Sequence, residues 1–278
     1  IIENGGNKLL EIFKAIFLGI VQGITEWLPV SSTGHMILVD QFLHLAGSKK
    51  FVDTFLVVIQ FGSILAVLIL YFEKLNPFSK NKGPKARKAT WDLWTKVVIA
   101  VIPSGLIGVL FEKKIDEIFF NPTVVALALI VYGIIMIWLE SRRKRPNITK
   151  FSQVSYKTAL MIGMFQVLAL VPGTSRSGST IIGATLLGTS RFIAAEFSFF
   201  LAIPTMLGAS LLKLLKAGFA FTGFEWFVML VGSVTAFVVS VIVIKMFMSY
   251  IKKHSFKSFG IYRICLGILV FVYFAFAG

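Results

Sequence analysis

Val-Pro-Gly-Thr-Ser-Arg-Ser-Gly-Ser-Thr (171–180) is a polar, glycine-broken stretch set between two apolar runs, 159–171 and 181–187. An arginine near a bilayer midplane costs about 2.5–3.5 kcal/mol on insertion scales, so Arg176 reads as functional, with an anion as its natural partner. A guanidinium beside several hydroxyls and backbone N–H groups is what a phosphate requires. A second stretch has the same character: Gln-Gly-Ile-Thr-Glu-Trp-Leu-Pro-Val-Ser-Ser-Thr-Gly-His (22–35). Two broken apolar segments of complementary chemistry point to one composite site.

The surrounding composition supplies the membrane. Of 278 residues, 56% are hydrophobic and 28 are phenylalanine, more apolar surface than a soluble fold can hide. The net charge of +15 does not point to nucleic acid, because the basic residues cluster in loops beside apolar spans. The single cysteine, Cys265, has no intrachain partner and is expected to pack within the last span. No cleavable signal peptide is expected, since Glu11 and Lys14 interrupt the first apolar run.

Six stretches are long enough to cross a bilayer: about 52–72, 95–111, 121–139, 193–215, 224–247 and 260–277. Two more, about 10–45 and 157–190, are broken by the polar motifs into pieces read as half-length, which predicts re-entrant hairpins. The expected fold is therefore an all-α polytopic membrane protein, a single integral membrane domain over 1–278. Its order is hairpin, three spans, hairpin, three spans, with repeats over about 10–139 and 157–277. Gly19-Ile-Val-Gln22 echoes Gly163-Met-Phe-Gln166, and Pro29 and Ser32 each lie 143 positions before Pro172 and Ser175. Three spans per repeat is an odd number, so the second copy is expected upside down, as in many transporters.

Charge sets the orientation. Loop 73–96 holds seven lysines and arginines, loop 140–157 holds Arg142, Arg143, Lys144, Arg145, Lys150 and Lys157, and Lys245, Lys252, Lys253 and Lys257 follow the fifth span. Loops 112–120 and 216–223 are nearly neutral. The basic loops belong in the cytoplasm, so the first hairpin dips in from outside and the second from inside. Arg191 and Glu196, near a span end, are expected to reach the interface.

At the tips, Gln22 and Glu26 are four apart and share a helix face. Pro29 ends that half-helix; Ser31, Ser32 and Thr33 are N-cap candidates for a helix starting near His35, as Ser175, Ser177 and Ser179 are in the second tip. Helix N-termini attract anions. Taken singly, Glu26 could be an ion-pair partner of Arg176, and any one hydroxyl an interhelical hydrogen-bonder.

These motifs, Gln-x-x-x-Glu with Pro-Val-Ser-Ser-Thr-Gly-His and Pro-Gly-x-Ser-Arg-Ser-x-x-Thr, resemble the signature regions of the bacterial undecaprenyl-pyrophosphate phosphatase (bacitracin-resistance) family. The resemblance runs from about Leu9 to Phe276. It implies removal of the terminal phosphate of the C55 polyprenyl pyrophosphate, regenerating the carrier for cell-wall synthesis. It also implies a divalent cation, Mg²⁺ or Ca²⁺, and a site opening to the outer face of the bacterial cytoplasmic membrane. On this sequence it makes Arg176 the pyrophosphate clamp, helped by Ser31, Thr33, Ser175, Ser177 and Thr180. Glu26 becomes the metal ligand, oriented by Gln22, and His35 the proton-transfer group. Ser32 is then the candidate nucleophile, with His35 or Glu26 as its base; direct attack by water is the alternative. The family carries Glu or Gln at the first motif position; Gln22 here leaves Glu26 as the only carboxylate of that pair.

The competing reading is a polyprenyl-phosphate transporter built on the same inverted repeat. A carrier alone needs no Ser32–His35 reactive pair. Expected partners are the lipid substrate and the bilayer, with no nucleic acid; the oligomeric state stays open, a homodimer being one arrangement.

Overall fold

The computed structural model describes residues 5–142, 145–218 and 220–276. Arg143 and Lys144 of the second basic loop lie outside the described residues. The chain is all-helical. A first helical hairpin, α1 (Gly5–Thr25) and α2 (Ser32–Phe42), leads into α3 (Lys49–Leu70), the short α4 (Phe72–Leu75), α5 (Pro84–Phe119) and α6 (Pro122–Ser141). A second hairpin, α7 (Tyr156–Val167) and α8 (Arg176–Leu186), leads into α9 (Arg191–Ala217), α10 (Gly223–Lys253) and α11 (Lys257–Phe276). Among the described residues six helices, α3, α5, α6, α9, α10 and α11, are long and apolar enough to cross a membrane. This is the architecture of a multi-pass membrane protein.

Four expectations change. Helix α5 begins well before residue 95 and runs through most of the loop expected at 112–120. Pro84 suits a first helical turn, and Lys85, Arg87 and Lys88 are good helix formers with exposed heads. Helix α1 has 21 residues, longer than a half-length piece. Glu11 does not break it, because its carboxylate takes Lys14 Nζ at 2.7 Å and the Ala46 N–H at 2.7 Å. Arg191 and Glu196 do not reach outward: Arg191 forks onto Glu140, and buried Glu196 takes Lys74 at 2.7 Å. Cys265 is exposed on α11 rather than packed.

The two halves pack by exchange. Helix α1 lies on α10 and α7 on α5; α3 meets α9, and α6 meets α11. Close approach depends on glycine at equivalent places. A Cβ on Gly19 would fall 2.6 Å from the Gly232 carbonyl, and one on Gly163 would collide with the Ala100 backbone. Trp27, Phe197, Phe199 and Phe200 fill the core around the hairpin tips.

The two tips are built alike at their caps. Ser31 caps α2 by accepting the Gly34 N–H, and Ser175 caps α8 by accepting that of Gly178. Both serines hold positive φ, 72° and 73°. In cap geometry Ser31 corresponds to Ser175, 144 positions on, one place from the 143-residue spacing of Ser32 and Ser175. Pro29 and Pro172 sit one place out of step with these two caps.

Candidate active site

A turn over residues 26–31 joins α1 to α2, and the first turn of α8 abuts it. Ser177 Oγ crosses between them, donating to the carbonyls of Glu26 at 3.3 Å and Leu28 at 3.1 Å. This brings Arg176 to Glu26, Nη2 to Oε1 at 3.0 Å, across 150 residues of chain. The other Glu26 oxygen accepts from Gln22 Nε2 at 2.9 Å and from Ser32 Oγ at 3.1 Å. One buried carboxylate therefore joins an amide, a hydroxyl and a guanidinium from two hairpins.

Arg176 is held on three sides. Its Nη1 donates to the Ser198 carbonyl at 2.8 Å and reaches Ser198 Oγ at 3.3 Å, while its guanidinium stands 5.6 Å from the centre of the Trp27 ring. Thr180 Oγ1 fixes Ser198 Oγ at 2.7 Å. Among the described residues the buried Arg176 Nε has no hydrogen-bond partner. Ser198 and Trp27 were not singled out from sequence. Ser198 lies in an apolar span as an ordinary small residue, and only its placement against Thr180 gives it a role.

The remaining candidates divide. Ser177 and Thr180 are buried and give their hydroxyls to protein, bracing the tip. Ser175 Oγ caps α8 and lies 3.1 Å from Ser177 Oγ. Ser31 caps α2, and Thr33 is half-buried on the first turn of α2. His35 turns away from Ser32: its Nδ1 lies 2.7 Å from the Ser31 carbonyl and its Nε2 lies 2.7 Å from Tyr262 Oη, the two rings stacking at 11°. A carbonyl can only accept, so Nδ1 carries the proton, and Nε2 accepts from Tyr262 when the ring is neutral. The base within reach of Ser32 is Glu26.

Among the described residues no group of three or more His, Cys, Asp or Glu side chains could hold a metal ion. Glu26 supplies the carboxylate of this cluster, with Gln22 and Ser32 beside it. That set fits a cation carried mainly by substrate oxygens, since Mg²⁺ is commonly bound through one or two carboxylates plus phosphates.

The family described as Bacitracin resistance protein BacA matches residues 15–269. The chain belongs to that family. It is 74% identical over 267 residues to Undecaprenyl-diphosphatase 1 of Clostridioides difficile (strain 630), covering 96% of this chain and 97% of the relative. It is 58% identical over 270 residues to the undecaprenyl-diphosphatase of Lachnoclostridium phytofermentans, covering 96% of this chain and 98% of that one. It is 57% identical over 268 residues to the undecaprenyl-diphosphatase of Acetivibrio thermocellus, at 96% and 98% coverage.

Proposed function

We propose that this chain hydrolyses undecaprenyl pyrophosphate to undecaprenyl phosphate and inorganic phosphate. The observation that carries the reading is the meeting of Arg176 with Glu26 and Ser32 where α2 and α8 begin. Helix N-termini and a guanidinium favour phosphate, and phosphoryl transfer is mainly positioning and charge neutralisation. Relatives named for this activity, alike over nearly the whole chain, support the same substrate.

In the proposed reaction Arg176 exchanges Glu26 for the terminal phosphate oxygens, its Nη1 staying on Ser198. Ser32 Oγ attacks the terminal phosphorus while Glu26 accepts its proton. The bond to the bridging oxygen breaks, and polyprenyl monophosphate leaves. Water then attacks the phosphoserine, releasing inorganic phosphate and returning the proton to Ser32. Gln22 orients Glu26; Ser31, Thr33 and Ser175 shape the two caps, and Ser177 and Thr180 hold them in place. His35, tied to Tyr262, serves proton movement at the rim. A divalent cation, Mg²⁺ or Ca²⁺, would be held by Glu26 and phosphate oxygens and would neutralise charge on the pyrophosphate.

The hairpins are proposed to be re-entrant, in two inverted halves, with the site opening to the outer face. Contact registers support this. Gly19 and Gly23 meet Gly232 and Ala236, so α1 runs parallel to α10, ending near the middle of that helix. Phe51 at the start of α3 meets Phe221 just before α10, and Gly62 further along meets Ser233, so α3 also runs with α10. Asp92, Ala100 and Ser104 meet Tyr156, Gly163 and Gln166, so α7 runs parallel to α5. Because α3 and α5 are consecutive spans they oppose one another, and the two hairpins then enter from opposite sides.

The test is phosphate release from polyprenyl pyrophosphate by the purified protein in detergent, with and without chelator. No release in the presence of Mg²⁺ or Ca²⁺ rejects the hydrolase reading and leaves the carrier reading. Release that ignores chelator rejects the cation alone.

A further inference from the structure

Arg263 lies on α11, completely buried at 0% exposure, in a helix otherwise apolar on that face. The helix comes close enough because glycines line its crossing with α6. A Cβ on Gly133 would fall 2.7 Å from the Gly260 carbonyl, and one on Gly267 2.8 Å from that of Ala126. Among the described residues Arg263 makes no ion pair. Its hydrogen bonds go to main-chain carbonyls: Nη1 to Pro29 at 3.3 Å, and Nη2 to Gly173 at 2.9 Å and Thr174 at 3.0 Å, with Ala128 at 3.5 Å.

The choice of carbonyls is informative. Pro29 stands two residues before Ser31, and Gly173 two residues before Ser175. One guanidinium thus grips the equivalent carbonyl of both loops, immediately upstream of the two serines with positive φ. Backbone held in such a sparsely populated region persists only where the surroundings over-determine it. A planar fork bonding in two directions at once suits that task, and an ammonium does not reproduce it. Immediately downstream stand Ser32 in one loop and Arg176 in the other.

We infer that Arg263 is a positioning residue that clamps the two hairpin tips together and so sets the gap between Ser32 with Glu26 and Arg176. It touches no reacting atom: its donors face the loops' carbonyls, so it acts through the geometry of its neighbours. Removing it leaves carbonyls of two loops without donors and frees the caps to separate. The substrate-binding groups remain, and the loss falls on turnover.

The inference rests on the phosphatase reading, and wild-type protein assayed in parallel separates the two. Without wild-type phosphate release the reading itself fails. With it, Arg263→Lys should lower kcat per folded molecule by at least about tenfold while KM stays within about threefold, the signature of lost transition-state geometry. Unchanged kcat in folded Arg263→Lys overturns the inference, as does a raised KM at unchanged kcat, which would make the arginine a substrate contact. If Arg263→Lys does not fold, Gly178→Ala decides. A Cβ there would lie 3.1 Å from Arg263 Nη1 and 3.2 Å from Ser175 Cβ, so it presses on the clamp and on the cap the clamp supports while keeping the charge. Lower kcat at similar KM supports the clamp, and wild-type kcat overturns it.

Discussion

Ser31 and Ser175 do the same work in two loops 144 positions apart: each holds φ near +72°, each caps the following helix, and each lies two residues after a carbonyl held by Arg263. Alanine at either place would keep the unfavourable φ and lose the cap, worth about 1 kcal/mol. Glycine would lose the cap but adopt the backbone without strain. Ser31→Gly and Ser175→Gly should therefore unfold at higher temperature than the matching alanine variants, by roughly 1 kcal/mol in stability. Thermal unfolding in one detergent reads this directly, and alanine variants that match or exceed the glycine ones would show that the loops are unstrained.

Arg176 reaches Glu26 with one nitrogen and Ser198 with the other. Lysine keeps the charge but cannot span both partners or match two phosphate oxygens. Arg176→Lys should lose at least roughly 100-fold in turnover, ~2.7 kcal/mol of barrier. Near-normal turnover in folded protein would make the arginine a structural ion-pair partner of Glu26.

Much of this was legible in the sequence because each hairpin carries its chemistry in a contiguous run. The six spans followed from apolar length, and Glu26 and Arg176 stood out as charges inside apolar segments. Arg263 did not, because its partners are main-chain carbonyls, as far as 234 residues away, and carbonyls leave no side-chain pattern. The one available signal was an arginine within the last apolar span. The cap role shared by Ser31 and Ser175 was hidden for a related reason. Proline spacing is visible in sequence, whereas the φ that identifies Ser31 as the cap is not. Likewise His35 is three residues from Ser32, but its ring is committed to Tyr262, 227 positions on.

Glu26 and Gln22 make a paired test of the cation. Glu26→Gln should abolish metal-stimulated hydrolysis at any practical Mg²⁺ concentration. Gln22→Glu would set a second carboxylate where an amide now lies 2.9 Å from Glu26. Two such carboxylates repel unless a proton or a cation lies between them. That variant should stay active and reach half-maximal rate at lower Mg²⁺ than wild type. An active, metal-responsive Glu26→Gln protein rules out the assignment.

The orientation can be read by thiol labelling in intact cells, in a Cys265→Ala background. Lys80 is exposed in the basic loop and is a better probe than Lys82, whose amine bonds Thr90 Oγ1 at 2.7 Å. Ala220 is exposed in the neutral loop and avoids the positive φ of Gly218. Ala220→Cys should react with an impermeant reagent and Lys80→Cys should be shielded. Equal labelling of both contradicts the inverted arrangement.

The attacking group is the last step to test. Ser32 Oγ donates to Glu26 Oε2 at 3.1 Å, so the hydroxyl already points its proton at a carboxylate and needs no movement of His35. A serine activated in this way forms a phosphoserine that water cleaves in a second step. If water attacks directly, Glu26 would serve as its base and Ser32 would only hold that base in line. Ser32→Ala damages both mechanisms and separates neither. Quenched-flow trapping with terminally labelled pyrophosphate does separate them. Label should appear on the peptide containing Ser32 before phosphate is released, and should be absent in Ser32→Ala. Protein that stays unlabelled at every time point, while phosphate release proceeds, assigns the attack to water.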